Sequence, residues 1–499
     1  MNVVLAYRGR YLVRQALELE TLSALLRTEN HRVHLVYDPG VFSATDNVFQ
    51  MGSLSDKLSS PERFARKVLA RQPEVLVVSV LPGSFAFFRE TIRLVKRQKN
   101  LPVICVGLFP TLSPQTVMEQ SSCDYAVRGE AERPLVELLD DLARAGMARS
   151  VPGVWLRRGG AVVSRPPEGL TDLDQLPFPD KSLFAPYISQ GRSYAAMVSR
   201  GCPFRCSYCE ETCVKAVVGP GYFRRKSVAA VIGELSRAKR RYGFSEVIFK
   251  DSYLSGDSAW LAELCRRYKQ EVGVPFKCFC TVAGFTEATA RLLKDAGCYC
   301  VEFGLQTVNE EIRKKLLCRN ETNRDAEEAF TACARAELWF DVDHMFGLPG
   351  ESEEDHRAAA SFYRGLAFLN RVKVHHLVYY PNAPILDAAR ELGALSDEDL
   401  RAVAEGAEDD FYADRFSSPE GRDLARAYGA LLKILPLVPE GALPELLERK
   451  RVRFLSRIPA PAMAALQALL AVRGRDRRFL MYLSSYPRLI LYALRDLAG

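Results

Sequence analysis

The chain has 499 residues, 48% of them apolar and 26% charged, with a formal net charge of +7. That length exceeds one ordinary core and predicts about three units. The balance excludes disordered, collagenous and low-complexity material, and no apolar run approaches the roughly 18–20 residues of a membrane span.

The opening Met1-Asn2-Val3-Val4-Leu5-Ala6-Tyr7 enters a strand-like run with no basic region or small-residue cleavage site, so a cytoplasmic protein is expected. The excess charge lies in the tail: residues 445–499 carry 11 Lys and Arg against 4 Asp and Glu. A solvated arginine-rich helical face explains this tail, and so would peripheral contact with an anionic surface. Thirteen cysteines without an export signal argue against a disulfide framework and, where clustered, for metal binding or chemistry.

Residues 1–145 alternate strand and helix. Val3 to Tyr7 begins the series, leucines 17, 22, 25 and 26 recur at helical spacing, and His34-Leu35-Val36-Tyr37 follows as a strand. Val75-Leu76-Val77-Val78-Ser79-Val80 is a β-branched run suited to burial on both faces. A helix is predicted over 87–96, then strands at 103–106 and 124–127, and a helix from about 132. Such alternation predicts a parallel sheet that binds its ligand at the strands' carboxyl ends. No Gly-x-Gly-x-x-Gly follows the first strand, so a dinucleotide is not favoured.

Residues 146–190, with Pro166-Pro167 and Leu176-Pro177-Phe178-Pro179, form a linker with room for a small hairpin. A second β/α series occupies 191–394, with strands near 194–198, 246–250, 276–281, 299–304, 340–346 and 375–379, and predicts a partial (β/α)6 barrel. Residues 395–499 read as a helical C-terminal domain capping that barrel, with proline breaks at 436, 439, 444, 459 and 461.

Directly after the first barrel strand comes Gly201-Cys202-Pro203-Phe204-Arg205-Cys206-Ser207-Tyr208-Cys209. Three thiolates on one short loop suit a single metal centre. A structural zinc ion is normally closed by four ligands, for which Cys213 is the nearby candidate. A four-iron cluster can be held by three thiolates with one iron left open, and this spacing differs from the ordinary ferredoxin runs.

The loop resembles the Cys-x-x-x-Cys-x-aromatic-Cys motif of the radical S-adenosylmethionine (radical SAM) enzymes. Three later segments support the resemblance: Ile248-Phe249-Lys250-Asp251-Ser252, Val301-Glu302-Phe303-Gly304-Leu305-Gln306-Thr307, and Asp343-His344-Met345-Phe346-Gly347-Leu348-Pro349-Gly350-Glu351. The N-terminal unit resembles that of the cobalamin-binding subgroup, through residues 79–84, Gly107-Leu108-Phe109-Pro110-Thr111, and Asp124-Tyr125-Ala126-Val127-Arg128-Gly129-Glu130. Two departures stand out. There is no Asp-x-His-x-x-Gly loop to give cobalt an imidazole, and the usual glycine pair is Val106-Gly107.

The resemblance implies an N-terminal Rossmann-like cobalamin-binding domain and a TIM-type radical SAM barrel. It also implies three cofactors: a 4Fe-4S cluster on Cys202, Cys206 and Cys209, S-adenosylmethionine and cobalamin. Tyr208, Asp251, Glu302, Gln306, Gly347 and Gly350 would then border the cluster and S-adenosylmethionine, while Ser84, Gly107, Gly129 and Glu130 would border cobalamin. His344, at the end of the fifth strand, and Tyr379, after the sixth, are candidates to face substrate. The implied reaction is radical activation of a C–H bond, with methyl transfer to unactivated carbon as the leading outcome. The alternatives are a cyclase or rearrangement enzyme using the same radical, and a zinc-stabilised nucleic-acid-binding protein. With the leading reading go a small-molecule substrate, possible lipid-like character from the leucine- and tyrosine-bearing tail (480, 483, 486, 489, 491, 494), a flavodoxin- or ferredoxin-type reductant, and no nucleic acid. The cysteines at 278, 280, 298 and 300 read as small core residues.

Overall fold

The computed structural model describes residues 1–9, 16–40, 55, 57–188, 192–407, 415–473, 487 and 490–491. In the N-terminal half, strands β1 (Asn2–Arg8), β2 (Arg32–Asp38), β3 (Val75–Ser79), β4 (Val103–Val106) and β5 (Tyr125–Val127) lie parallel in the order β2-β1-β3-β4-β5. Strand β1 shows why helices cover both faces. Val3 and Leu5 pack with Leu19, Leu22 and Leu135 on one side, whereas Val4 and Ala6 pack with Phe88 and Ile92 on the other.

The hairpin foreseen in the linker belongs to this sheet: β6 (Val154–Arg158) and β7 (Ala161–Ser164) continue it antiparallel beyond β5. The chain then turns at Lys181–Phe184. There the Lys181 ammonium meets Glu20 at 2.5 Å, both side chains fully buried, and also donates to the Ala195 carbonyl at 2.7 Å. One buried charge thus ties the N-terminal helix Leu17–Thr28, the linker and the first barrel strand.

The second sheet is a six-stranded open barrel in sequence order: β8 (Ser193–Ala196), β11 (Glu246–Phe249), β12 (Phe276–Cys280), β13 (Cys298–Gln306), β14 (Trp339–Phe346) and β15 (Leu369–His376), all parallel. A two-residue pair, β9 (Ser199–Arg200) with β10 (Arg224–Arg225), brackets the cysteine loop. Side chains alternate between the two faces along β12, β14 and most of β13. Cys278, Val301, Phe303, Phe340, Val342 and Phe346 point outward into the helix-covered core, so Lys277, Glu302, Asp341 and Asp343 point inward.

Cys278, Cys298 and Cys333 are buried in that outer core, with the Cys278 and Cys298 sulfurs 3.9 Å apart. The described C-terminal helices do not act simply as a cap. Helix Pro419–Ile434 lies along β15 and places Gly429 against Phe346 and Val374, whereas residues 377–407 close the barrel mouth. Of the tail positions named above, 480, 483, 486, 489 and 494 lie outside the described residues, and Leu491 is exposed. Among the described residues no helix is long and apolar enough to cross a membrane.

Candidate active site

The carboxyl ends of the two sheets face each other. Helix Leu108–Leu112, which follows β4, packs against helix Glu210–Val218, which follows the cysteine loop. The Asn382 amide donates to the Leu112 carbonyl at 2.8 Å across the same seam. Leu108 and Leu112 share one apolar cluster with Met345, Leu348, Leu377, Tyr379 and Tyr380.

The cysteine loop is fastened at several points. Gly201 takes φ +79°, and a Cβ there would strike the Tyr222 ring at 2.8 Å and its carbonyl at 2.9 Å, so this turn requires glycine. The Cys206 carbonyl accepts from Thr212 Oγ1 at 2.8 Å, and Ser207 bridges to Leu317 and Ile385 through main-chain bonds of 3.1 Å. Cys209 starts helix Glu210–Val218, so its sulfur sits at a helix N-terminus.

Burial pushes all three thiols up, Cys202 to about 11, so stable thiolates there require a cationic partner. Among the described residues these sulfurs are not gathered within 4.8 Å of one another. A tetrahedral zinc site with bonds of about 2.3 Å would bring them to roughly 3.8 Å. Cys213 does not complete a fourth corner: it is buried in the apolar cluster, and its thiol donates to the Cys209 carbonyl at 3.6 Å. Three spread thiols with no fourth fit a cluster better than a single ion.

Arg319 was not foreseen from sequence. Its guanidinium reaches the Tyr208 hydroxyl at 3.2 Å, the Gly304 carbonyl at 2.6 Å and the Cys206 sulfur at 4.0 Å, with Glu321 as counter-ion. One cation therefore joins the cysteine loop to the end of β13. Arg319 lies on the connection after that strand, amid Arg313, Lys314 and Lys315, where no periodic pattern distinguishes it.

The other expected site residues divide. Asp251 is fully buried: its Oδ1 accepts from Val198 N at 2.9 Å, Ser199 N at 2.6 Å and Ser199 Oγ at 2.5 Å. It therefore fixes the turn leading into the cysteine loop, while Oδ2 is left buried and unpaired. Burial raises its carboxyl to about 6 against those hydrogen bonds. Gln306 sits at φ +72°, just past a register shift between Gly304 and Gln306, with its Oε1 also buried and unpaired. Such backbone strain in a non-glycine residue at a strand end is typical of ligand sites. Gly347 and Gly350 take φ +79° and +82° in the turn after β14, and a Cβ on Gly350 would meet nothing within 4 Å.

Four of the expected residues are engaged by the protein's own groups. Glu302 is gripped by Lys277 at 3.0 Å and by Lys373. It belongs to an internal ion network with Asp341, which contacts Lys277, Asn370 at 2.7 Å, Arg371 at 3.3 Å and Lys373 at 3.3 Å. Against the cost of burial, those cations hold the Asp341 carboxyl well below the usual range, while burial and then Glu302 push Asp343 well above it.

His344 is not in the barrel interior. Parity puts it on the outer face of β14, fully buried, with Nδ1 3.1 Å from the Tyr363 hydroxyl, and burial lowers its imidazole so that it stays neutral. Glu130 is held by Arg224, by Arg200 at 3.3 Å and by the Thr171 amide at 3.1 Å, so together with Gly129, pressed against Val218 and Pro167, it joins the two domains. The Ser84 hydroxyl is consumed locally, exchanging 3.0 Å bonds with the Leu81 main chain.

Gly107 remains at the edge facing the barrel, with φ +101° and a Cβ position 3.2 Å from the Val80 carbonyl. All six histidines lie at 31, 34, 344, 356, 375 and 376, and the two N-terminal ones stand where β2 begins, away from that edge. Tyr379 is buried in the seam between the domains, its ring 5.5 Å from that of Phe416.

Comparison with known proteins agrees with this geometry. The B12 binding domain model matches residues 11–139 and the Radical SAM superfamily model matches residues 197–363. An uncharacterized methyltransferase of Pyrococcus horikoshii is 28% identical over 274 residues, covering 54% of this chain and 59% of that protein. Cytidylyl-2-hydroxyethylphosphonate methyltransferase of Streptomyces wedmorensis is 26% identical over 307 residues, covering 52% of this chain and 56% of that protein. The chain thus spans little more than half the length of these curated relatives. The fold matches the structure of the radical S-adenosylmethionine methyltransferase TsrM from Kitasatospora setae, with cobalamin and a 4Fe-4S cluster bound, at TM-score 0.66 and 17% identity, over 94% of this chain and all of that one. The chain thus carries a B12-binding domain followed by a radical SAM domain, the order expected from its sequence.

Proposed function

We propose that the chain is a cobalamin-dependent radical SAM enzyme that transfers a methyl group to an unactivated carbon of a small molecule. The observation that carries this reading is the three-thiol turn at the barrel's carboxyl end, set against the Gly107 edge of the N-terminal sheet. When bound, the cluster, S-adenosylmethionine and cobalamin would supply one-electron cleavage of a sulfonium, a hydrogen-abstracting radical and a transferable methyl group.

The chain's own groups supply binding, orientation and exclusion of water. Cys202, Cys206 and Cys209 donate thiolates, and Arg319 sets a fixed positive charge beside Cys206. The buried, unpaired Asp251 Oδ2 and Gln306 Oε1 accept donors from a ligand amine or hydroxyl, since each otherwise pays for its burial without a partner. The inward ion network of Lys277, Glu302, Asp341 and Lys373 stiffens the barrel interior beneath them. The apolar seam of Leu108, Leu112, Tyr379 and Tyr380 keeps water from a reactive intermediate. The N-terminal edge offers no imidazole to a bound cobalamin, since His31 and His34 stand at the start of β2. A reducing compartment and a flavodoxin- or ferredoxin-type electron donor complete the reading.

The test is anaerobic incubation of the reconstituted chain with reductant, cobalamin and methyl-labelled S-adenosylmethionine over a metabolite extract. Label appearing in a product heavier by one methyl group supports the proposal. Formation of 5′-deoxyadenosine with a cyclised or rearranged, unlabelled product contradicts methyl transfer. A colourless, zinc-loaded protein contradicts the whole reading.

A further inference from the structure

The outer face of the barrel carries a cluster that the proposed reaction does not use. His344 on β14, Glu351 just after the glycine turn, and His356 in helix Glu353–Arg364 bring one ligand atom each to within 4.8 Å of the other two. His344 is fully buried, and the His356 and Glu351 side chains are 8% and 3% exposed. His344 Nε2, Glu351 Oε2 and His356 Nδ1 have no hydrogen-bond partner. The approach of His356 Nδ1 to Glu351 Oε2, at 4.0 Å, is too long for a hydrogen bond. Three buried polar atoms converge and satisfy none of one another.

We propose that His344, Glu351 and His356 bind a divalent ion of the zinc class, behind strand β14 and separate from the cysteine loop. The remaining atoms of two of these residues are already held as metal ligands usually are. His344 Nδ1 lies 3.1 Å from the Tyr363 hydroxyl, and Thr307 Oγ1 donates to Glu351 Oε1 at 3.2 Å. A proton on Nδ1, shared with Tyr363, leaves the Nε2 lone pair facing the cluster, and this outer bond fixes both tautomer and ring plane.

Two imidazoles and one carboxylate form a donor set that zinc accepts, with a water in the fourth position. At bonds of about 2.0–2.1 Å the ligand atoms would stand roughly 3.4 Å apart, so the three side chains would close by an ångström or so around the ion. The surroundings are largely aromatic. The Phe346 ring lies 4.9 Å from both imidazole rings, and the Tyr428 ring 5.4 Å from that of His356. The excess positive charge of the ion faces Asp355 and Glu353 on the first turn of the same helix.

Bound there, the ion would clamp β14, the turn at 347–350 and the following helix into one unit. That turn borders the barrel mouth through Leu348, so the ion would hold from outside what the ligand meets from inside.

The test needs no substrate. Anaerobically purified full-length chain is stripped of loosely held metal, its iron and zinc are counted separately, and it is titrated with cobalt(II) while visible absorption is followed. The expected result is about one zinc or cobalt per chain, bound with the visible bands of four-coordinate cobalt and retained in the Cys202→Ser/Cys206→Ser/Cys209→Ser variant, which loses its iron. Glu351→Gln and His356→Gln should abolish binding, and Tyr363→Phe should weaken it about 10–100-fold while leaving the fold intact. A wild-type chain that takes up no ion beyond trace overturns the proposal. So does an ion lost with the three cysteines, or one held equally well by the folded Glu351→Gln or Tyr363→Phe chains. Iron at the cysteines and zinc at this cluster are separate readouts, so either can fail without the other.

Discussion

At the carboxyl edge of the N-terminal sheet, Gly107 turns at φ +101° into an apolar helix, and Phe109 and Leu112 are buried with no charged group between them. At the facing edge of the barrel stand three thiols, a guanidinium, and two buried oxygens on Asp251 and Gln306 that lack partners. One edge is shaped by backbone and apolar side chains, so it suits a large ligand held by surface fit. The other is built from concentrated charge and unsatisfied acceptors, so it suits a ligand held by coordination and hydrogen bonds. The contrast predicts different responses to mutation: loss of chemistry at the barrel edge, and loss of fit at the sheet edge.

The largest effect is expected at the thiols. Serine at 202, 206 or 209 should remove cluster iron and abolish S-adenosylmethionine cleavage, as read by iron content, visible absorption and 5′-deoxyadenosine. Next comes Arg319→Gln, which keeps the three thiolates but removes the cation beside Cys206. Cleavage should fall about 10–100-fold, as for other residues that orient metal ligands. The cluster potential should move negative, because a nearby positive charge favours the reduced, more negative state. Retained iron with an unchanged potential would separate Arg319 from the site.

Gly107→Ala tests the other edge. A Cβ at that φ, 3.2 Å from the Val80 carbonyl, should cost about 1–3 kcal/mol. Thermal unfolding should register this loss, and cobalamin uptake should weaken while the cluster and its iron stay intact. Equal damage to both cofactors would erase the distinction between the edges.

The subtlest test uses pH. The folded-state carboxyl of Asp251 lies near 6, above its ordinary 3.8, mainly because of burial. A raised carboxyl stabilises the fold fully below the unfolded value, and that contribution is lost as pH rises through the folded one. Between about pH 4 and 6 Asp251 should therefore withdraw roughly 3 kcal/mol at most. Asp251→Asn should flatten that part of the stability profile relative to wild type, as measured by denaturant unfolding across the range. An unchanged difference between the two profiles would mean that Asp251 is not buried as described.

Much of this was legible in the sequence because the signals are local. The thiol spacing lies within eight residues, and Val75-Leu76-Val77-Val78 announces a strand of the first sheet as a β-branched run. What was missed depends on parity or on distant contacts. His344 stands one residue from Asp343, and a single step along β14 moves a side chain from barrel interior to outer core. The charged residues in Phe276-Lys277-Cys278 and Phe340-Asp341-Val342-Asp343 did carry the phase, since a charge within an apolar strand belongs inside a barrel. Glu302 then followed as a partner of Lys277 rather than as a free acceptor. Arg319 and Glu130 gave no such clue, because their partners on the cysteine loop and at Arg200 and Arg224 come together only in three dimensions.

The most direct measurement is electron paramagnetic resonance of the anaerobically reconstituted, reduced chain before and after S-adenosylmethionine is added. A four-iron signal that shifts on addition, and broadens when the amino nitrogen carries a magnetic isotope, is the predicted result. It would place the sulfonium ligand on an iron that the three cysteines leave open. A cluster signal indifferent to S-adenosylmethionine, or no iron signal from chains whose three cysteines are intact, would contradict it.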